Sequence, residues 1–177
     1  ENYNFMEVSP KNSISKSAYQ LLNKKKIHTH SHHLCLAAAG FQTSKFSEAT
    51  VVIVDAIGEF DTVSIWDARY DREGKAVYKK LYSKKYPNSL GLFYSALTQR
   101  VGLKPNEEEY ITMGMSAYGD NKHYTQMYDS IISDSYESEF KENLHIGFGN
   151  DFLPGASNED LAHSGQLLLE GLLTNIL

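Results

Sequence analysis

The sequence holds one cysteine, one tryptophan and only four prolines in 177 residues. A lone thiol, Cys35, excludes an internal disulfide framework and suits a reducing cytoplasm. No apolar run approaches the roughly 20 residues of a membrane-spanning helix, and no charged-then-apolar leader opens the chain. Basic residues do not predominate: 17 Lys and Arg face 22 Asp and Glu, for a formal charge of −5. That balance gives no reason to expect a nucleic-acid partner, and the one basic cluster, Lys24-Lys25-Lys26, reads as a solvated helix end. Internal repeats and low-complexity tracts are missing too.

What is there is an ordinary globular composition, 41% hydrophobic and 22% charged, with length enough for one domain and its core. The chain opens on Glu1 rather than Met and stops in mid-helix pattern at "EGLLTNIL", so it reads as a slice of something longer. "SKSAYQLLNKKK" (15–26) has helical spacing with a basic last turn. "IHTHSHH" reads as a short extended segment and "LCLAAAGF" as a buried helix, with Cys35 an inert buried thiol. "ATVVIVDA" (49–56) has the β-branched continuity of a central strand covered on both faces. "DTVSIWDARYD" and "KAVYKKLYSKKY" alternate and complete an antiparallel meander. Helices are expected after Pro87-Asn88-Ser89, with Leu92, Ala96, Leu97 and Val101 on one face, then within "NEEEYITMGMSAYGD", over "HYTQMYDSIISD", and from the Ser157 capping box to the end.

Three stretches bear on chemistry. His28, His30 and His32 alternate, so on a strand they would share a face, with His33 on the other. Such imidazoles with a carboxylate suffice for a transition-metal site, but an inert loop or a tag remnant gives the same pattern. "VVIVDAIGEFDT" delivers Asp55 at a strand end and Gly58 and Glu59 in a turn. This arrangement suits a cation or a phosphate, or is a plain β-turn. "NSLGLFYSALT" puts Ser89 and Gly91 at a helix start, which favours an anion or is an ordinary cap. Trp66 reads as packing. His123, His145 and His163 read as surface or capping residues.

Taken together, "HHLCLAAAGFQTSKFSEATVVIVDAIGE", "YPNSLGLFYSALTQRVGL", "EEEYITMGMSAYGD" and "DLAHSGQLLLEGLL" resemble successive blocks of the ATP-dependent O-carbamoyltransferases of nodulation-factor and antibiotic biosynthesis. The order and intervals agree over roughly residues 30 to 177. The resemblance implies an α/β domain of the actin-like ATPase (ribonuclease H-like) type, similar to the tRNA threonylcarbamoyl transferases. Residues 1–177 would then be its central portion, without the first hairpin and the later phosphate loop, with an antiparallel meander in a mixed sheet and flanking helices.

The implied activity is transfer of a carbamoyl group to an acceptor hydroxyl from carbamoyl-adenylate, itself made from carbamoyl phosphate and ATP. A divalent metal (iron, manganese or zinc) would polarise the carbamoyl carbonyl. Position by position, His32 and Asp55 match two metal positions, and Gly58, Ser89 and Gly91 fall where nucleotide or phosphate contacts are expected. Glu109 and Tyr110 fall on a Glu-Tyr pair of the family. The third metal position falls on Leu36, which cannot bind a metal, and Ala56, Ile111 and Ala117 also depart from the pattern. A non-catalytic scaffold of the same fold, or another ATP-using actin-like enzyme such as a sugar or acetate kinase, is the rival reading. Unpaired sheet edges in such a slice would invite a homodimer.

Overall fold

The computed structural model describes residues 30–149 and 151–177. One compact unit runs from His32 to Leu177. The helix expected over 15–26, the lysine cluster and His28 lie outside the described residues.

Helix α1, His32–Thr43, starts inside the stretch expected to be extended. His32 and His33 are therefore its first two residues, and the alternation read from a strand does not apply to them. On a helix, neighbours point about 100° apart, and the stripe at i, i+4 and i+8 shares a face. That stripe is His33, Ala37 and Phe41, all buried. The rest of the helix is not buried as expected: Cys35 is exposed and Leu36 is 38% exposed. Only the face toward the sheet is covered, where the Phe41 ring meets those of Tyr70 and Tyr78.

Strands β1 (Glu48–Gly58), β2 (Asp61–Tyr70) and β3 (Ala76–Lys85) form the antiparallel meander in the order β1-β2-β3. β2 is the central strand and buries Thr62, Val63, Ser64, Trp66 and Ala68. β1 departs from its expected central place: among the described residues it is an edge strand, with Val54 41% and Ile57 37% exposed. Its β-branched run expresses strand propensity, not two-sided burial. A register shift falls between Val54 and Gly58, so the end of β1 bulges away from strict pairing. The two-residue connection is Glu59-Phe60, and Glu59 takes a φ of 63°. No parallel pairing accompanies the meander among the described residues, so the expected mixed sheet is not seen there.

Helix α2, Leu90–Arg100, follows a cis Tyr86–Pro87 peptide. Its expected stripe of Leu92, Ala96, Leu97 and Val101 is buried, together with Leu90 and Phe93. Next come α3 (Glu109–Met115), a 3-10 turn (Ser116–Tyr118) and α4 (Tyr124–Ile131). α4 ends earlier than "HYTQMYDSIISD" suggested, because Ile132–Asp134 (β4) leaves the helix to pair with Glu139–Phe140 (β5). α5, Asn158–Ile176, is capped by Ser157, whose side chain accepts from the Asp160 N–H. Phe93, Leu97, Met127, Leu161, Leu168 and Leu172 centre the helical core. The architecture is α/β, an antiparallel meander with flanking helices. No helix among the described residues is long and apolar enough to cross a membrane.

Candidate functional site at the end of β1

The last four residues of β1, Asp55 to Gly58, organise the site. Asp55 Oδ1 accepts the N–H of Ala56 at 2.7 Å, which folds the carboxylate back along the strand. Its other oxygen, Oδ2, lies 3.1 Å from His32 Nε2 at the start of α1. Sequence reading placed these two residues together, and the structure brings them into a direct pair. The His32 side chain is 49% exposed and that of Asp55 28%, so the pair opens to solvent.

His33, about 100° further round the helix, is turned into the structure. Its ring is 1% exposed, and Nδ1 lies 2.6 Å from Ser64 Oγ, which also accepts the Trp66 indole N–H at 2.7 Å. Burial lowers the His33 pKa, against the opposing pull of Asp61 and Asp55. Its Nε2 is the one buried side-chain nitrogen or oxygen without a hydrogen-bond partner among the described residues. Gly58 closes this side of the site: a Cβ there would stand 2.5 Å from His33 Nε2 and 2.8 Å from His32 Cδ2. Glycine is required here by the two imidazoles.

Ser89 and Gly91 meet the same strand end from α2. Ser89 Oγ donates to the Ala56 carbonyl at 2.7 Å and accepts the Leu92 N–H at 3.1 Å. Ser89 is 1% exposed, so its hydroxyl is committed to capping α2 and tying it to β1. Gly91 packs against the Ala56 backbone. The five residues singled out in sequence thus gather around 55–58. His32 and Asp55 present open polar atoms, Gly58 forms the wall, and Ser89 and Gly91 form the foundation.

Sequence reading missed two features. His33 was a neighbour of the cluster without an assigned role, and only its pairing with Ser64, 31 positions away, gives it one. The other is a cleft of about 360 Å³ beside the pair, bordered by Asp55, Leu92, Ser95, Gln99, Asn106 and His145; no local spacing announces it. Glu109 braces two residues of that border, accepting from Ser95 Oγ at 2.7 Å and from the Asn106 N–H at 2.5 Å. Burial would raise its carboxyl pKa, but these hydrogen bonds prevail and lower it. Tyr110, its partner in sequence, is 68% exposed.

As a metal centre the donor set is incomplete. Leu36 offers no donor, His33 is turned into Ser64, and no group of three His, Cys, Asp or Glu side chains that could hold a metal occurs among the described residues. A closed site needs about four ligands and an open catalytic one about three.

The result is an α/β domain with a polar pair at the end of a strand and a cleft beside it, where helices and strand ends converge. Comparison with known proteins supplies the family. The carbamoyltransferase N-terminus family matches residues 3–161, and the chain belongs to it. The resemblance read from the sequence blocks is thereby borne out. Among curated proteins the chain is similar to an uncharacterized protein of Synechocystis sp., 34% identical over 113 residues, covering 64% of this chain and 18% of that protein. It is also similar to an uncharacterized protein of Methanocaldococcus jannaschii, 30% identical over 118 residues, covering 61% of this chain and 19% of that protein. The chain thus spans less than a fifth of the curated relatives it matches.

Proposed function

We propose that the chain is part of a cytoplasmic O-carbamoyltransferase with an actin-like ATPase-type domain, which moves a carbamoyl group from carbamoyl-adenylate to an acceptor hydroxyl. The observation that carries this reading is the family match over residues 3–161. The convergence of His32, Asp55 and Gly58 beside an open cleft supports it. Carbamoyl phosphate and ATP would supply the adenylate elsewhere in the full-length protein.

In the transfer step the acceptor oxygen bonds to the carbamoyl carbon, the bond from that carbon to the phosphate oxygen breaks, AMP leaves, and the hydroxyl proton passes to solvent. The part of this chain in that step is positioning. Asp55 is held by the Ala56 N–H and fixes the His32 ring, while Gly58 keeps that ring close to the strand. Preorganised polar groups of this kind accelerate transfer because no reorganisation is needed at the moment of reaction. Incubating the full-length protein with ATP and isotope-labelled carbamoyl phosphate should move the label into a hydroxylated small molecule. Label that stays in carbamoyl phosphate and its hydrolysis products with every acceptor offered would count against the reading.

Leu36 favours a second reading, a folded but non-catalytic binding module. Label transfer that occurs with the wild type and is lost with Asp55→Asn would dismiss it.

A further inference from the structure

We propose that the His32–Asp55 pair of this chain stands in place of a divalent metal and does not hold one. This rests on the carbamoyltransferase reading for its meaning, though not for its test. Three features carry it. The first is that Asp55 is already satisfied. Oδ1 receives the Ala56 N–H at 2.7 Å and Oδ2 the His32 imidazole at 3.1 Å. Each carboxylate oxygen thus has a partner from this chain itself.

The second feature is position 36. On α1 it lies four residues after His32, on the neighbouring turn and the same side of the helix. A donor there would complete a two-point grip with His32 beside Asp55. Leucine occupies it, 38% exposed, and leaves an apolar surface where a ligand atom would be needed. The third is that the adjacent imidazole is buried and not open to solvent beside the pair. His33 is buried, its Nδ1 is engaged by Ser64, and its unpartnered Nε2 lies inside the structure beside Gly58. Turning that ring outward would strip Ser64 Oγ of its His33 partner. Cys35, the one thiol, is exposed on α1 and belongs to no three-donor group among the described residues.

With Nε2 bonded to Asp55, His32 retains Nδ1 for an incoming group, so the pair acts as a hydrogen-bonding anchor for the carbamoyl amide or the acceptor hydroxyl. Metal binding is measured on the full-length protein in a Cys35→Ser background, which removes the exposed thiol as an adventitious ligand. Zinc and cobalt are titrated separately, with cobalt absorption and metal content after dialysis as readouts. The expected result is no stoichiometric metal in this protein, and an affinity higher by at least about 10-fold in Leu36→His, a change on the scale that single partners exert on metal sites. Stoichiometric metal that His32→Ala removes would overturn the proposal. So would a Leu36→His variant, folded by circular dichroism, that gains no affinity. Neither outcome depends on activity, so failure of the carbamoyltransferase reading is scored separately by label transfer.

Discussion

Gly91 sits so close to Ala56 that a β-carbon on the glycine would stand 2.7 Å from the alanine Cα and 2.9 Å from its nitrogen. The obstructing atoms are backbone, which cannot swing aside as a side chain would. Gly91→Ala is therefore expected to push α2 away from β1 at a cost of about 1–3 kcal/mol. Urea denaturation of the full-length protein, with hydrogen exchange of the α2 amides, measures it. An unchanged exchange rate in α2 would contradict the packing.

Ser89 and Ser157 both cap helices, but only Ser89 also bridges to a strand. Ser157→Ala removes a cap alone and should cost about 1 kcal/mol. Ser89→Ala also strips a partner from the Ala56 carbonyl inside the structure, so the expected loss is about 2–3 kcal/mol. Equal losses in the two variants would show that the bridge contributes nothing.

Trp66 is the single tryptophan of the sequence and donates its indole N–H to Ser64 Oγ. Its fluorescence therefore reports directly on the buried His33–Ser64–Trp66 group. Ser64→Ala leaves the indole N–H unpaired, and His33 loses its Nδ1 partner as well. The emission maximum should shift and stability fall by about 1–3 kcal/mol. An emission spectrum identical to the wild type would contradict the network.

Glu109 gives the site an acid-sensitive support. Burial opposes ionisation of its carboxyl, yet hydrogen bonds from Ser95 and the Asn106 N–H lower its pKa in the folded state. A lowered folded value means that the unfolded chain binds the proton more readily. The contribution is present above the unfolded glutamate value and is lost as pH falls through the lower, folded one. Ser95→Ala removes one of these bonds and should raise the Glu109 pKa in an NMR titration. It should also weaken the acid dependence of stability below the ordinary glutamate range. No change in the Glu109 titration would contradict the assignment.

Much of the framework was legible because it is local. The strands β2 and β3, the stripe Leu92, Ala96, Leu97 and Val101, and the caps at Ser89 and Ser157 all follow from local propensity and capping, although Val77 and Leu81, read as the alternating apolar positions of β3, are exposed. What failed depended on long-range context. The β-branched residues of β1 state a preference for strand but not which neighbours cover it, and α1 looks buried in sequence because alanine and leucine do not announce which face meets the sheet. The extended reading of "IHTHSHH" overlooked that His32 and His33 can open a helix whose side chains then point to Asp55 and Ser64. The members of the 55–58 cluster were found from the strand-end turn after Asp55 and the helix start at Ser89, and the order of sequence blocks joined them. The His33–Ser64 contact and the cleft near Gln99 and Asn106 were not, because they join residues that share no short-range pattern.

The measurement that bears most directly on the central claim is pyrophosphate release from ATP by the full-length protein, with and without carbamoyl phosphate. Release that requires carbamoyl phosphate, and that persists in His32→Ala while label transfer to the acceptor falls by about 100-fold, is the expected result. Pyrophosphate release indifferent to carbamoyl phosphate, or no release at all, would contradict the carbamoyltransferase account.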